Sequence, residues 1–231
     1  MARRRFFVPE VRRGLAELTG RDAEHLVRVL RAEAGQRYEI SDNRDVYLAE
    51  ITSARKAAVC FEVIEKLPAQ AESAPAVLVI ALIKFDRFEW LVEKATELGV
   101  AEIRPFEAMR TERGLRQAAA KRMERWERIA FEASQQARRA HLPELIPVSS
   151  AAEAFATDAR NKVMLDEDPG APPIRKAGGG AALLVGPEGG WTDEERRQAS
   201  EAGWQAGSLG PTILRTETAA LAGLAILMHA E

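Results

Sequence analysis

A single cysteine, Cys60, stands in a chain of 231 residues. One thiol cannot close an internal disulfide and offers no cluster for a metal, so the fold is expected to stand without cross-links or a metal site. Its surroundings, Ala57-Ala58-Val59-Cys60-Phe61-Glu62-Val63-Ile64, alternate as a half-buried strand does, which makes Cys60 a packing residue rather than a nucleophile. No apolar run approaches the roughly 20 residues that a membrane-spanning helix needs. The start, Met1-Ala2-Arg3-Arg4-Arg5-Phe6-Phe7-Val8-Pro9, is basic without the apolar core of a secretory signal, so a cytoplasmic chain with no membrane partner is expected. The Lys-Ser/Thr end of a P-loop and the G-x-G-x-x-G spacing are both missing, and nucleotide-phosphate binding is unsupported. Nor does one charge dominate: 33 Lys and Arg face 35 Asp and Glu, a net charge of −2. That excludes a uniformly basic nucleic-acid binder and leaves room for a local basic face.

What charge there is lies unevenly. Arg3, Arg4, Arg5, Arg12 and Arg13 crowd the start, and Arg110, Arg113, Arg116, Lys121, Arg122, Arg125, Arg128, Arg138 and Arg139 crowd the middle. Glu124, Glu127 and Glu132 interleave with the second group. Such interleaving reads either as a solvated face of i,i+4 pairs or as part of an RNA surface.

In chain order, Arg37–Ile40, Val46–Ile51 and Val59–Ile64 alternate with period two and are separated by turn chemistry at Ser41-Asp42-Asn43-Arg44 and Ser53-Ala54-Arg55-Lys56. They predict antiparallel strands. A helix over Asp22–Arg31 interrupts them, with Leu26, Val29 and Leu30 spaced to bury one face. Pro68-Ala69-Gln70-Ala71-Glu72-Ser73-Ala74-Pro75 has the composition of a linker, so a small β-barrel over residues 1–70 and a second domain over 71–231 are expected. The second opens on Val77–Ile83, a continuous apolar run suited to a parallel strand covered on both faces. A helix over Asp86–Leu98 stopped by Gly99, a strand Val100–Pro105 and a long helix over about Leu115–Arg139 follow, the last carrying Met123, Trp126, Ile129, Ala130 and Ala133 on one face. Strands at Val163–Asp166, Ala181–Val185 and near Ala206–Leu209, a helix Thr192–Ala202 and a final apolar helix complete an α/β alternation. Asp168–Pro173 and Gly178-Gly179-Gly180 read as flexible connections.

The chemistry gathers at two junctions. Leu183-Leu184-Val185-Gly186-Pro187-Glu188-Gly189-Gly190-Trp191-Thr192 reads as a buried strand, a glycine-rich turn and a helix start, with Thr192 as N-cap and Asp193, Glu194 and Glu195 in the first turn. Leu209-Gly210-Pro211-Thr212-Ile213-Leu214-Arg215-Thr216-Glu217-Thr218-Ala219 repeats the design. Two such turns in one sheet suggest one shared pocket. Arg215, Thr216 and Glu217 place a planar cation, a hydroxyl and a carboxylate together, either to orient a polar substrate or as an N-cap beside a surface ion pair.

These two segments resemble the C-terminal signature of the SPOUT methyltransferases, and most closely the branch that methylates N3 of a uridine in 16S ribosomal RNA, the RsmE family. The likeness continues through Lys84-Phe85-Asp86-Arg87-Phe88-Glu89-Trp90, Glu93–Val100, Thr111-Glu112-Arg113, Gln136 with Arg139 ahead of Pro143, and, near the start, Arg5-Phe6-Phe7 and His25–Arg31. It implies an α/β domain with a trefoil knot, preceded by a PUA-like RNA-binding barrel, and S-adenosylmethionine held between the two loops. Carried over with it are Leu184, Gly186, Glu188, Gly189, Leu209, Gly210, Ile213, Leu214 and Arg215 as cofactor contacts, Glu188 either touching the ligand or only fixing its loop. Arg215 is the expected stabiliser of charge on the uracil and Glu217 a base or orienter. Arg5, Arg28, Arg31, Arg113 and Arg139 are the expected RNA contacts. Gln135 stands where some relatives place an acid, so no acid chemistry is expected there. The implied partners are 16S ribosomal RNA or the small subunit and a second copy of the chain, with no metal. The final helix, with Ala219, Ala222 and Gly223 as small residues, fits either a homodimer interface or burial within one subunit. An RNA-binding protein without activity, or a methyltransferase acting on a ribose hydroxyl or a purine nitrogen, are the competing readings.

Overall fold

The computed structural model describes residues 5–68, 75–168, 170–177 and 180–229. Arg3 and Arg4, most of the expected linker (Ala69–Ala74), Pro169 and the first two residues of the triple glycine lie outside the described residues. The chain divides into two compact units, residues 1–72 with Ser134–Leu142, and residues 73–133 with 143–231. A division at residue 70 assigns Ser134–Leu142 to the second domain; in the structure that segment clusters with the first.

The first unit is a six-stranded sheet with one helix. Its elements are β1 (Arg5–Phe7), β2 (Val11–Arg12), β3 (Leu15–Thr19), α1 (Gly20–Arg28), β4 (Arg37–Ser41), β5 (Val46–Arg55) and β6 (Ala58–Lys66), in strand order β1-β4-β5-β6-β3-β2. The hairpin between β4 and β5 follows from local chemistry: the Asp42 carboxylate accepts from the amides of Arg44 and Asp45 at 3.0 and 2.8 Å, and Asn43 takes φ of +65°. The pairing is antiparallel except between β1 and β4, which run parallel, a pairing that period-two alternation cannot distinguish. Phe6, Leu18, Leu26, Ile40, Ile51 and Phe61 form the core, and Cys60 is half-buried in β6. Val29 and Leu30 do not bury a helix face as expected; they are 63% and 38% exposed. The helix stops at Arg28, and Arg31 enters the left-handed region at φ +52°, so helical spacing no longer governs these side chains.

The second unit contains β7 (Ala76–Ala81), α2 (Phe85–Leu98), β8 (Glu102–Glu107), α3 (Leu115–Ala119), a 3-10 turn at Ala120–Arg122, α4 (Met123–Gln136, whose last residues cluster with the first unit), β9 (Glu144–Leu145), β10 (Ser149–Ser150), α5 (Ala151–Phe155), β11 (Asn161–Leu165), β12 (Ala181–Val185), α6 (Asp193–Glu201), β13 (Gln205–Gly207) and α7 (Thr216–His229). The strands form a parallel sheet of order β10-β8-β7-β12-β11-β13, with β9 beside β8. Alternation in β7 sorts the two covered faces. Leu78 and Ile80 pack with Phe88 and Leu91 of α2, Trp126 of α4 and Leu224 of α7. Val79 and Ala81 pack with Phe155 of α5 and Ala199 of α6. Gly99 closes α2 at φ +100°, as its position after Leu98 predicts.

The expected single helix over Leu115–Arg139 is broken by the 3-10 turn and ends at Gln136. Arg138, at φ +55°, cannot continue it. The short helix α5 was not legible as such; a capping box between Ser150 and Glu153 starts it. Backbone hydrogen bonding holds the Glu153 carboxyl below the usual carboxylate range, with the Ser150 hydroxyl adding to the effect.

In α7, Gly223 faces inward rather than offering a site for another helix. A Cβ there would stand 2.7 Å from a methyl of Leu183, so the missing side chain lets α7 lie close on β12. Ala219, Leu221, Ala222, Ala225 and Ile226 are only partly buried.

Candidate active site

Strand order decides where the two glycine turns meet. β11 lies between β12 and β13, so the segments leaving β12 and β13 flank the end of β11. Loops departing in different directions from the carboxyl end of a parallel sheet open a crevice, the usual place for a ligand in such folds. The cleft here is lined by Leu165, Asp166 and Glu167 at and just past the end of β11, by Val185, Gly186, Pro187, Gly190 and Trp191 at and past the end of β12, by Gly207, Ser208, Leu209, Gly210, Thr212, Ile213 and Leu214 at and past the end of β13, and by Thr216 and Ala219 of α7.

The first turn is held from several sides. Gly190 takes φ +71° and its amide donates to Pro187 O at 2.9 Å, closing the turn. A Cβ on Gly186 would lie 2.8 Å from the indole of Trp191. That indole is fixed: its Nε1–H donates to Leu165 O at 2.8 Å and its ring stacks on Phe106 at 6.2 Å. Arg110 donates to the carbonyls of Gly189 and Trp191 at 2.9 and 3.2 Å. Arg196 grips both oxygens of Asp166 at 2.8 and 3.1 Å and also reaches Trp191 O, and the hydrogen bond to Asp166 keeps its guanidinium protonated above the usual range. Thr192 caps α6 as expected, in a capping box whose Glu195 also accepts the Met109 amide at 2.8 Å.

Of the expected cofactor contacts, Gly186, Leu209, Gly210, Ile213 and Leu214 line the cleft. Leu184 does not: its side chain is fully buried in the sheet core. Glu188 and Gly189 lie in the turn but are engaged elsewhere, the Glu188 carboxylate by Arg87 of α2 and the Gly189 carbonyl by Arg110. Arg215 is exposed, between the cleft residues Leu214 and Thr216. Glu217 is 7% exposed and is not a cleft wall; one carboxylate oxygen is 3.8 Å from Arg87 Nε, and the other is buried without a hydrogen-bond partner among the described residues.

The expected RNA contacts separate more sharply. Arg5 is only 2% exposed; it bonds Glu39 at 2.9 Å and donates to Arg138 O at 2.6 Å. Its donors hold the first unit together, which corrects its assignment to RNA. Arg28, 4.0 Å from Glu24, and Arg31 are exposed, as is Arg113. Arg139 is half-buried. Much of the basic middle is paired: Arg116 with Glu107, Arg122 and Arg125 with Glu89, Arg128 with Glu132, Arg138 with Glu39. Gln135 is buried, with its amide 3.4 Å from Asp22.

Sequence reading missed Leu165, Asp166 and Glu167, because Met164-Leu165-Asp166-Glu167 looks like an ordinary strand end; two acids directly after an apolar strand were the available signal. It also missed Trp191, Ser208 and Thr212 as walls. The residues present suit a ligand with a flat apolar ring and a polar end. Ile213 and Leu214, 82% and 36% exposed, offer apolar surface beside Leu165, Val185 and Leu209, and Asp166, Glu167 and turn backbone supply polar groups. Among the described residues no cluster of three metal-ligating side chains occurs, and no helix is long and apolar enough to cross a membrane.

A family model for an RNA methyltransferase PUA domain matches residues 18–64. The chain is 31% identical to a ribosomal RNA small subunit methyltransferase E of Bacillus subtilis, over 97% of this chain and 96% of the relative, and 30% identical to that of Mesomycoplasma hyopneumoniae, over 94% and 95%. Its fold is similar to the Neisseria gonorrhoeae ribosomal RNA small subunit methyltransferase E solved with S-adenosyl methionine bound, at TM-score 0.86 and 33% identity, covering 97% and 96% of the two chains. A Legionella pneumophila protein, also solved with that cofactor bound, gives 0.86 and 30%, covering 98% and 97%. With the RNA methyltransferase domain model spanning residues 70–228, the chain belongs to that family of RNA methyltransferases.

Proposed function

We propose that this enzyme transfers a methyl group from S-adenosylmethionine to N3 of a uridine in 16S ribosomal RNA, acting in the cytoplasm on the small subunit or its RNA. The observation that carries the reading is the cleft itself: two glycine turns and the end of β11 converge on one crevice in a chain of the RNA methyltransferase family. When bound there, the sulfonium cofactor supplies an electrophilic methyl group. Leu165, Val185, Leu209, Ile213 and Leu214 would cover a purine ring, and the backbone of the turns would read its edge. Attack by N3 requires the uracil to lose its proton, which a carboxylate or water would take, and the negative charge left behind is shared by its carbonyl oxygens. Arg215, exposed at the end of the second turn, is suited to stabilise it. Glu217, buried beside Arg87, acts as an orienter rather than as the base. Glu167, exposed at the cleft, suits the amino group of the cofactor, while Asp166 is held by Arg196 and fixes the wall beside it.

The first unit, matching the PUA domain, would bind RNA, with Arg28 and Arg31 available at its surface. A homodimer accompanies this reading, supported by the partly exposed apolar face of α7 formed by Leu221, Ala222, Ala225 and Ile226. So does a trefoil knot, which the likeness to the RNA methyltransferase family implies.

Mass spectrometry of 16S ribosomal RNA from cells with and without the gene tests the target. Loss of one N3-methyluridine is expected. Loss of a ribose or purine methyl instead would replace the target, and no change would leave RNA binding alone. Calorimetry with EDTA present tests the cofactor; no heat at millimolar S-adenosylmethionine would end the methyltransferase reading.

A further inference from the structure

Arg87 occupies a position that neither glycine turn explains. It lies in the first turn of α2, is about one-third exposed, and among the described residues it is the cation that pairs with both Glu188 and Glu217. Glu188 belongs to the turn after β12 and Glu217 to the first turn of α7, which follows the turn after β13. The two carboxylates therefore come from the two segments that wall the cleft. Arg87 hydrogen-bonds Glu188, whose side chain is 43% exposed, and faces Glu217 at 3.8 Å, too long for a hydrogen bond. The Glu217 side chain is only 10% exposed, and its second oxygen is buried without a partner among the described residues.

A planar guanidinium presents five donors in a fixed fork, so it can hold two carboxylates in a set geometry that a flexible lysine point charge does not impose. Here its better bond goes to the carboxylate that water could also solvate, and the buried one is left with ion pairing alone. Removing the cation would leave Glu217 as an uncompensated buried charge and set two like charges against each other. We propose that Arg87 is a positioning residue that ties the two cleft-forming turns together through Glu188 and Glu217, so that the cofactor is bound and aligned only when both are held. The inference rests on the cofactor reading above, but the tie itself is a property of the free protein.

Hydrogen exchange on the cofactor-free chain therefore tests it independently. Arg87→Met keeps the aliphatic stem and removes the charge, and Glu188→Gln removes one carboxylate. In Arg87→Met, protection should fall together in residues 186–191 and in the first turn of α7, by about tenfold, while amides in the middle of α2 stay protected. Affinity for S-adenosylmethionine should fall by about tenfold in each single variant. The Arg87→Met, Glu188→Gln double variant should be no weaker than about the worse single one, because both break the same tie. Arg87→Lys should recover part of the affinity. Unchanged exchange in either segment, or single-variant losses that multiply in the double variant, would overturn the proposal. A wild-type chain that binds no S-adenosylmethionine would instead end the cofactor reading, and the exchange result would still decide the tie.

Discussion

Gly186→Ala adds one methyl group at the wall of the cleft, and its cost can be worked from the neighbours. The new Cβ would stand 2.8 Å from Trp191 Cε2 and 3.1 Å from Cδ2 and Cζ2. Carbon atoms settle near 3.5–4.0 Å, so the ring would have to retreat by roughly 0.7 Å. It has little freedom to do so. Trp191 is 4% exposed, its Nε1–H donates to Leu165 O at 2.8 Å, and its ring lies against Phe106 and Phe155 at 6.2 Å. Retreat along the hydrogen bond would stretch it to about 3.5 Å and leave a buried donor, costing about 1–3 kcal/mol. Staying in place costs a similar ~1–3 kcal/mol in overpacking. These are alternatives rather than a sum, and the added methyl returns at most about 0.8 kcal/mol. A net loss of about 1–2 kcal/mol is expected, lowering the melting transition of the second unit by roughly 2–8 °C for a domain of this size. Because Gly186 and Leu165 both wall the cleft, S-adenosylmethionine affinity should fall at least about tenfold, measured by calorimetry. Trp191→Phe in the same background makes room, so the double variant should be about 1 kcal/mol more stable than the sum of the single effects. Wild-type melting and affinity in Gly186→Ala, or strict additivity with Trp191→Phe, would show that this contact does not set the turn.

Arg215→Ala should spare cofactor affinity, within about twofold, and lower turnover by at least about a hundredfold, because its contact is with charge formed during transfer; equal losses in both would make it a cofactor ligand. Ile226→Glu, on the partly exposed face of α7, should convert a dimer to a monomer in sedimentation velocity, and an unchanged dimer would place the interface elsewhere. Glu153 and Glu194 have carboxyls held below their ordinary value, by hydrogen bonds from Ser150 and by Arg197 respectively. Their contribution to stability is thus complete above pH ~4.5 and lost as pH falls through the lowered values. The Glu153→Gln, Glu194→Gln variant should show a shallower drop in melting temperature on acidification than the parent, and an identical slope would refute the assignment.

The alternation of strands and helices in the second unit was legible because each element carries its own signal: the apolar run of β7, the Gly99 stop after α2 and the Thr192 cap before α6 are all local. Local signals fail where a neighbour distant in sequence decides. Val29 and Leu30 keep helical spacing but lie past the helix end. Arg5 looks like one of a basic cluster until Glu39, 34 residues away, takes its charge. Gly223 reads as a small residue on an open helix face until Leu183 fills the space its side chain would occupy.

By itself, then, the sequence determined the two glycine turns, the caps that launch α6 and the apolar character of α7, since backbone permissiveness, capping and hydrophobicity belong to a residue and its near neighbours. Tertiary structure decided what those turns enclose. β11 slots between β12 and β13, which puts Leu165, Asp166 and Glu167 on the wall of the cleft, and α2 carries Arg87 to carboxylates 101 and 130 residues away. Strand order and the reach of a side chain across a fold are set by which faces bury together, and no window of local sequence contains that information.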